Sequence, residues 1–343
     1  MIYLFKKYKK ALLCALFLLI SLMAVTSPFA QTAASNWMRR AKFGVMVHYL
    51  SSLQNGTPPL NEGKKTSWDS CVNDFDVNLF ASQLHEVNAG YVIFTLYQGN
   101  RFICTPNVQY EKLTGYARGQ ATSHRDLIMD LANALQKYNI KLVLYVTGDG
   151  TFRDDRANKA FKSPMLQYKQ NGNKFTATND WVNNWTAVLR EWSMRYGKKV
   201  AGWWVDGAYQ THGYNDSLLS KFSYALKAGN SNSMVGFNNA VHPKIQYYSK
   251  WDTYTAGEMN DFKDLPPAGG NVNGKQWHIV SFLGTDWASS SVKYTPDYIT
   301  SYVNQVNSLG GVVTMNVAVN RNGSIAPDQF SFLKGVSTQI KSR

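Results

Sequence analysis

Residues 200–207 read Val200-Ala201-Gly202-Trp203-Trp204-Val205-Asp206-Gly207, an apolar run that ends on a carboxylate and then a glycine. Apolar residues in succession, rather than on alternate positions, suit a strand buried on both faces, as in a parallel sheet covered by helices. The same kind of run recurs along the chain. Phe43–His48, Tyr91–Leu96, Lys141–Thr147, Ala201–Asp206, Ser233–Asn238, Tyr254–Gly257, Trp277–Leu283 and Val312–Val317 make eight predicted strands. Helical patterns fall between many of them, over Val77–Asn88, His124–Tyr138, Asp180–Tyr196, Ser217–Ala228 and Pro296–Leu309, with a last one from Pro327 to about Ile340. Ser123 before Asp126, and Thr295 before Pro296, give helix starts, while Gly90 and Gly310 fall just past helix ends. Eight strands with interleaved helices predict an α/β fold, a (β/α)₈ barrel. No helix separates the fifth and sixth strands, so irregularity is expected there. A doubly wound open sheet is the alternative, weakened because no Gly-x-Gly-x-x-Gly follows the first strand.

The whole chain has 343 residues, 44% of them hydrophobic and 17% charged, which excludes a disordered or collagenous protein. Lys6, Lys7, Lys9 and Lys10 precede an apolar run from Ala11 to Val25, with small residues near Ser27 and Ala30. This order is that of a secretory signal peptide over residues 1–30, cleaved after Ala30, an uncleaved anchor being the alternative. Residues 31–343 then form a single catalytic domain, periplasmic or secreted, with no membrane span left after cleavage. Loss of the leader lowers the net charge from +14 to +10. No stripe of like charge or nucleic-acid module appears, so the basicity suits acidic glycans or surfaces rather than nucleic acid. Three Cys preclude a disulfide framework, and the sequence leaves open whether Cys71 and Cys104 are joined. The six His are scattered without ligand spacing, so neither metal nor cofactor is expected.

In a barrel of this kind the chemistry lies at the C-terminal ends of the strands. Those ends carry His48, Tyr97 with Gln98, Asp149, Asp206, Asn238 with Asn239, and Glu258, followed by Asp286, Trp287, Asn316 and Asn320. Asp206 is the sharpest candidate, because a carboxylate delivered straight from an apolar strand is costly unless paired or used. An Asp that merely caps the following turn is the plain alternative. A carboxylate in an aromatic-rich mouth points to glycoside hydrolysis, which ordinarily takes two carboxyl groups. Glu258 is the best second acid and Asp149 the next, although Glu258 could instead be a solvated loop residue.

The motifs around these positions resemble the α-L-fucosidases of glycoside hydrolase family 29. Trp37 with Ala41–His48 resembles the opening strand of that family, and Phe75-Asp76 through Ala89–Thr95 its second unit. His124-Arg125-Asp126-Leu127 and Lys141–Tyr145 are similar to the next helix and strand, and Trp204-Val205-Asp206-Gly207 to the nucleophile segment. Gly310-Gly311 through Asn316-Val317, then Asn322–Pro327, match the last strand and turn. The resemblance implies a retaining exo-glycosidase in which Asp206 is the nucleophile, with His48 and Trp204 touching the sugar and Glu258 near the acid/base position. Trp68, Tyr97, Gln98 and Asn238 complete the expected substrate contacts. The substrate is an oligosaccharide or glycoconjugate. The sequence departs from the family where a His-His-Asp run is replaced by Gln98-Gly99-Asn100, a Glu-Trp by Ser67-Trp68, and an Arg by Ala240. A pocket reshaped for another sugar, or a barrel that binds glycans without turnover, are the alternatives these departures leave open.

Overall fold

The computed structural model describes residues 36–99, 101–167 and 175–340, so the leader at 1–30 and Asn100 lie outside the described residues. Seven parallel strands form one curled sheet: β1 (Phe43–Val47), β2 (Tyr91–Thr95), β3 (Lys141–Thr147), β4 (Val200–Asp206), β5 (Met234–Phe237), β8 (His278–Phe282) and β9 (Val312–Val317). The order is β5-β4-β3-β2-β1-β9-β8. A small antiparallel hairpin, β6 (Asn271–Val272) and β7 (Lys275–Gln276), stands apart from it. This is an α/β barrel with one irregular side. The predicted sixth strand, Tyr254–Gly257, is not a regular strand, yet it spans the gap between β5 and β8. Thr253 N donates to Val235 O at 2.8 Å, Thr255 N to Gln276 O at 3.0 Å, and Val280 N to Gly257 O at 2.8 Å. Gly257, at φ +68°, breaks the pleat, and a Cβ there would meet the His278 carbonyl oxygen at 1.9 Å.

Alternation along the strands makes two cores. Met46, Ile93, Val143, Tyr145, Trp204, Met234 and Val280 point to the barrel axis. Val45, Phe94, Leu144, Val205 and Val313 face the helices. The axis is crowded by rings: a Cβ on Gly44 would lie 2.4 Å from the Tyr91 ring, and one on Gly236 2.9 Å from that of Tyr254. The longest outer helix, residues Asn179–Tyr196, is capped by Thr178, whose hydroxyl accepts from Trp181 N. Its Trp181, Trp185, Trp192 and Tyr196 recur on one face and are buried, Trp185 Nε1 donating to Thr147 O at the end of β3 and Trp192 Nε1 to Pro106 O. Burying an indole removes about 200 Å² from water, about 5 kcal/mol before the entropy of ordering it. Cys71 and Cys104 are both free and buried, and their sulfurs meet different backbone carbonyls. No helix among the described residues is long and apolar enough to cross a membrane.

Candidate active site

The inward phase of each strand decides which side chains reach the mouth. On β4, Gly202, Trp204 and Asp206 share that phase, and Tyr145 stands opposite Trp204 in the register with β3. Asp206 therefore emerges at the rim with Tyr145 below it. Gly207 turns the chain away at φ +71°, and a Cβ there would meet the Asp149 carboxyl carbon at 2.6 Å. Four donors face the two Asp206 oxygens. Tyr145 Oη donates at 2.5 Å, Asn238 Nδ2 at 2.8 Å, Gly207 N at 2.9 Å and Tyr209 Oη at 3.1 Å.

Asn238 Nδ2 donates to Glu258 Oε2 as well. One amide nitrogen thus touches both carboxyl groups, and their nearest oxygens lie within two hydrogen-bond lengths of each other. Burial and then the Asp206 charge push Glu258 up to about 7, against the Asn238 bond. The same two causes push Asp149 up to about 7. Three acids thus meet at the rim, and two of them hold their protons to near neutrality.

A cavity of about 220 Å³ opens over Asp206, with His48, Gln98, Trp204, Glu258 and Trp287 in its wall. Trp204 stacks on Tyr145, centroids 5.1 Å apart, and its Nε1 donates to Ala256 O at 2.9 Å. His48 has its ring fixed by a chain of bonds. Ala288 N donates to Asn316 Oδ1 at 2.9 Å, which turns Asn316 Nδ2 towards His48 Nδ1 at 3.1 Å. Nδ1 then accepts, so Nε2 carries the proton of a neutral imidazole. Burial pushes this histidine down to about 4, despite the Asp206 charge.

Of the expected residues, His48, Gln98, Trp204, Asp206 and Glu258 converge on this cavity. Tyr97 does not. The chain leaves the sheet after Thr95, with Leu96 N and Tyr97 N both turned to Tyr145 O, and the alternation is lost. Tyr97 is consequently 1% exposed against Trp185, and Gln98 takes the inward place. Trp68 also lies outside this cavity: its Nε1 donates to Ile103 O at 2.9 Å, and it borders a separate depression beside Arg101. Asn238 is 1% exposed and faces the two carboxyl groups, in place of the expected sugar contact.

A family model described as alpha-L-fucosidase matches residues 67–342. The chain belongs to the alpha-L-fucosidase family. Solved structures share the fold at low identity. An endo-fucoidan hydrolase of glycoside hydrolase family 107 is 15% identical with a TM-score of 0.68, over 91% of this chain and 54% of that one. The chain thus spans about half the length of that structure. The alpha-L-fucosidase AlfC from Lactobacillus casei, in complex with alpha-L-fucose, is 16% identical with a TM-score of 0.61, over 90% of this chain and 98% of that one. A family 29 alpha-L-fucosidase from Bacteroides thetaiotaomicron is 16% identical with a TM-score of 0.63, over 89% and 72%. No curated protein sequence matches the chain.

Within this family fold, one departure, Gln98, falls in the cavity wall, while Ala240 and Ser67 line neighbouring depressions. Gln98 lines it with Oε1 buried and unpartnered among the described residues. Ala240 is exposed at φ +64°, a conformation rare for a side-chain-bearing residue. Ser67 caps the helix Trp68–Asp74 through Ser70 N. Sequence reasoning passed over Tyr145 and Tyr209 as partners of Asp206. Strand parity with Trp204 would have found Tyr145, but no sequence signal marks Tyr209, which reaches back from the loop.

Proposed function

We propose that the chain is a retaining exo-glycosidase acting on a terminal α-L-fucosyl or closely related sugar, with Asp206 as nucleophile and Glu258 as acid/base. The supporting observation is the single Asn238 amide that bonds both carboxyl groups. Retention uses carboxyls about 5–5.5 Å apart, whereas inversion leaves about 6.5–9.5 Å for a water between them. An Asp206 ringed by donors suits attack, and a Glu258 protonated up to about 7 suits proton delivery. In the first step an Asp206 oxygen bonds to the anomeric carbon as the glycosidic bond breaks, and Glu258 gives its proton to the departing oxygen. In the second, Glu258 takes a proton from water, whose oxygen displaces Asp206. His48 Nε2–H and the Trp204 ring would hold the sugar.

Asp206→Asn should fold normally and lose turnover by at least about 10³. Glu258→Gln should lose far less on a nitrophenyl fucoside than on an alkyl fucoside, since the phenolate leaves without a proton. The first product seen by NMR should be the α-anomer; a β-anomer, or turnover surviving Asp206→Asn, removes the reading. The buried, unpartnered Gln98 Oε1 favours a second reading, a glycosidase for another sugar, which a panel of chromogenic galactosides checks. Glycan retained without released monosaccharide would leave only a binding barrel. Export is part of the proposal, resting on the leader-like residues 1–30. A mature chain from the producing cell that still contains residues 1–30 would count against it.

A further inference from the structure

The cavity over Asp206 does not end at the sugar-sized space. Beyond Gln98 a second hollow of about 240 Å³ continues past Gly99, Asp149, Phe152 and Arg153, sharing Ser52 and Asp206 with the first. A further depression of about 520 Å³ is bordered by Ser51, next to Ser52 of the first cavity, and by Trp68, Arg101, Phe102, Tyr116 and Arg156. Each arginine in this track lies over a ring. Arg101 Cζ is 4.7 Å from the Phe102 centroid, Arg156 Cζ 4.2 Å from that of Tyr116, and Arg153 Cζ 5.9 Å from that of Phe152.

Most of the acids nearby are already engaged. Glu111 is held by Arg118 through both oxygens, at 3.0 and 3.1 Å, and Asp69 by His124. Asp154 is buried, with Oδ1 accepting from Tyr116 Oη and Ala157 N and Oδ2 without a partner among the described residues. Asp155 is exposed in the first turn of its helix, and Asp149 is pushed up to about 7. Among the described residues neither Arg153 nor Arg156 lies within ion-pair distance of a carboxylate; Arg156 Nε donates to Thr114 O at 2.7 Å. A guanidinium beside an aromatic face offers a sugar two things at once, a ring to stack on and a planar fork for an oxyanion.

We propose that this track binds the rest of a glycan whose sugars carry anionic groups, sulfate esters or uronate carboxylates, with Arg101, Arg153 and Arg156 meeting the oxyanions. The proposal rests on the reading that the Asp206 cavity takes a sugar, and it names the class of substrate. It is tested by calorimetric binding of sulfated fuco-oligosaccharides, oligouronates and neutral oligosaccharides of equal length to the full chain. The active-site-intact protein should prefer one or both anionic sets. Arg101→Gln with Arg156→Gln should weaken that binding about tenfold, and more at low salt than at high. Arg153→Gln alone gives a second, smaller loss should the double variant melt early. Lys198→Gln with Lys199→Gln removes equal charge at the opposite end of the barrel, before β4, and should change nothing. Which anionic set binds identifies the oxyanion. Neutral glycans binding as tightly as both anionic sets, or equal losses in the two double variants, overturns the proposal. Turnover of a chromogenic α-L-fucoside is read separately: its absence counts against the proposed function, while anion-dependent binding stands or falls by itself.

Discussion

Replacing Tyr145 by Phe removes one oxygen and leaves the ring stacked on Trp204. That oxygen donates to Asp206 Oδ2 at 2.5 Å, and burial holds the phenol well above its ordinary pKa, so it stays a donor throughout the working range. A donor aimed at a nucleophile both orients it and shares its charge, and charge-assisted bonds of this kind are the strong ones. Tyr145→Phe is expected to lower kcat by about 10- to 100-fold with little change in KM, while the melting temperature stays close to the parent value. An equal effect on KM alone would assign Tyr145 to ground-state sugar binding. The sequence made Asp206 legible, because an apolar strand seldom ends on a carboxylate that has no partner and no task. Tyr145 was hidden for the converse reason: a tyrosine inside an apolar strand reads as core until its phase is matched to that of Trp204. Tyr97 misled for a related cause, since the phase holds only while the residue remains in the sheet.

At the scale of elements, the segment 51–74 brings Ser52 and Leu53 to the cavity wall, and it is pinned by a residue far away in sequence. Arg321, with no side-chain exposure, donates through Nε to Asp74 Oδ2 at 2.6 Å, through Nη1 to Asn55 Oδ1 at 2.7 Å and through Nη2 to Thr66 Oγ1 at 2.5 Å. Its backbone N also donates to Leu60 O at 2.8 Å. Four points of this segment, Asn55, Leu60, Thr66 and Asp74, are thus tied to the chain just after β9. Asp74 is about one-third exposed, so water recovers part of what the loss of its partner costs. Arg321→Met should destabilise the fold by about 2–4 kcal/mol, read from the urea midpoint at unchanged slope. It should also raise KM more than it lowers kcat, because Ser52 and Leu53 line the cavity without facing the carboxyl pair. The strands and long helices of this fold were legible because a buried parallel strand and an amphipathic helix each leave a periodic trace. The helices Val108–Thr114 and Asp155–Phe161 were not, being too short for a period to emerge. The stretch 254–257 read as a strand from its composition, but Gly257 at positive φ makes it a bridge instead.

For the molecule as a whole, the buried acids and the buried imidazoles pull stability in opposite directions as pH changes. Asp149, Asp252 and Glu258 are each pushed up to about 7, chiefly by burial, so between about pH 4.5 and 6.5 the folded chain holds three protons that the unfolded chain has released. His48 and His278 are pushed down to about 4 by burial, so over the same window the unfolded chain holds two protons that the folded chain lacks. Stability rises with pH wherever the unfolded state binds more protons; among these five groups the folded state leads by one, and His212, which burial pushes below its ordinary value, takes back part of that lead. The parent protein should therefore lose stability as pH rises from 4.5 to 6.5, with a slope of at most about 1.4 kcal/mol per unit. Solvent reduces it, since Asp149 and Glu258 are only partly buried by exposed area. Asp149→Asn with Glu258→Gln leaves one acid against two imidazoles, which reverses the sign: the double variant should gain stability over the same range. Melting temperatures at constant ionic strength, pH 4.5 to 6.5, decide between them. Two parallel curves would mean that neither carboxyl holds its proton in the folded state, and the acid assigned to Glu258 would then have no proton to deliver near neutrality.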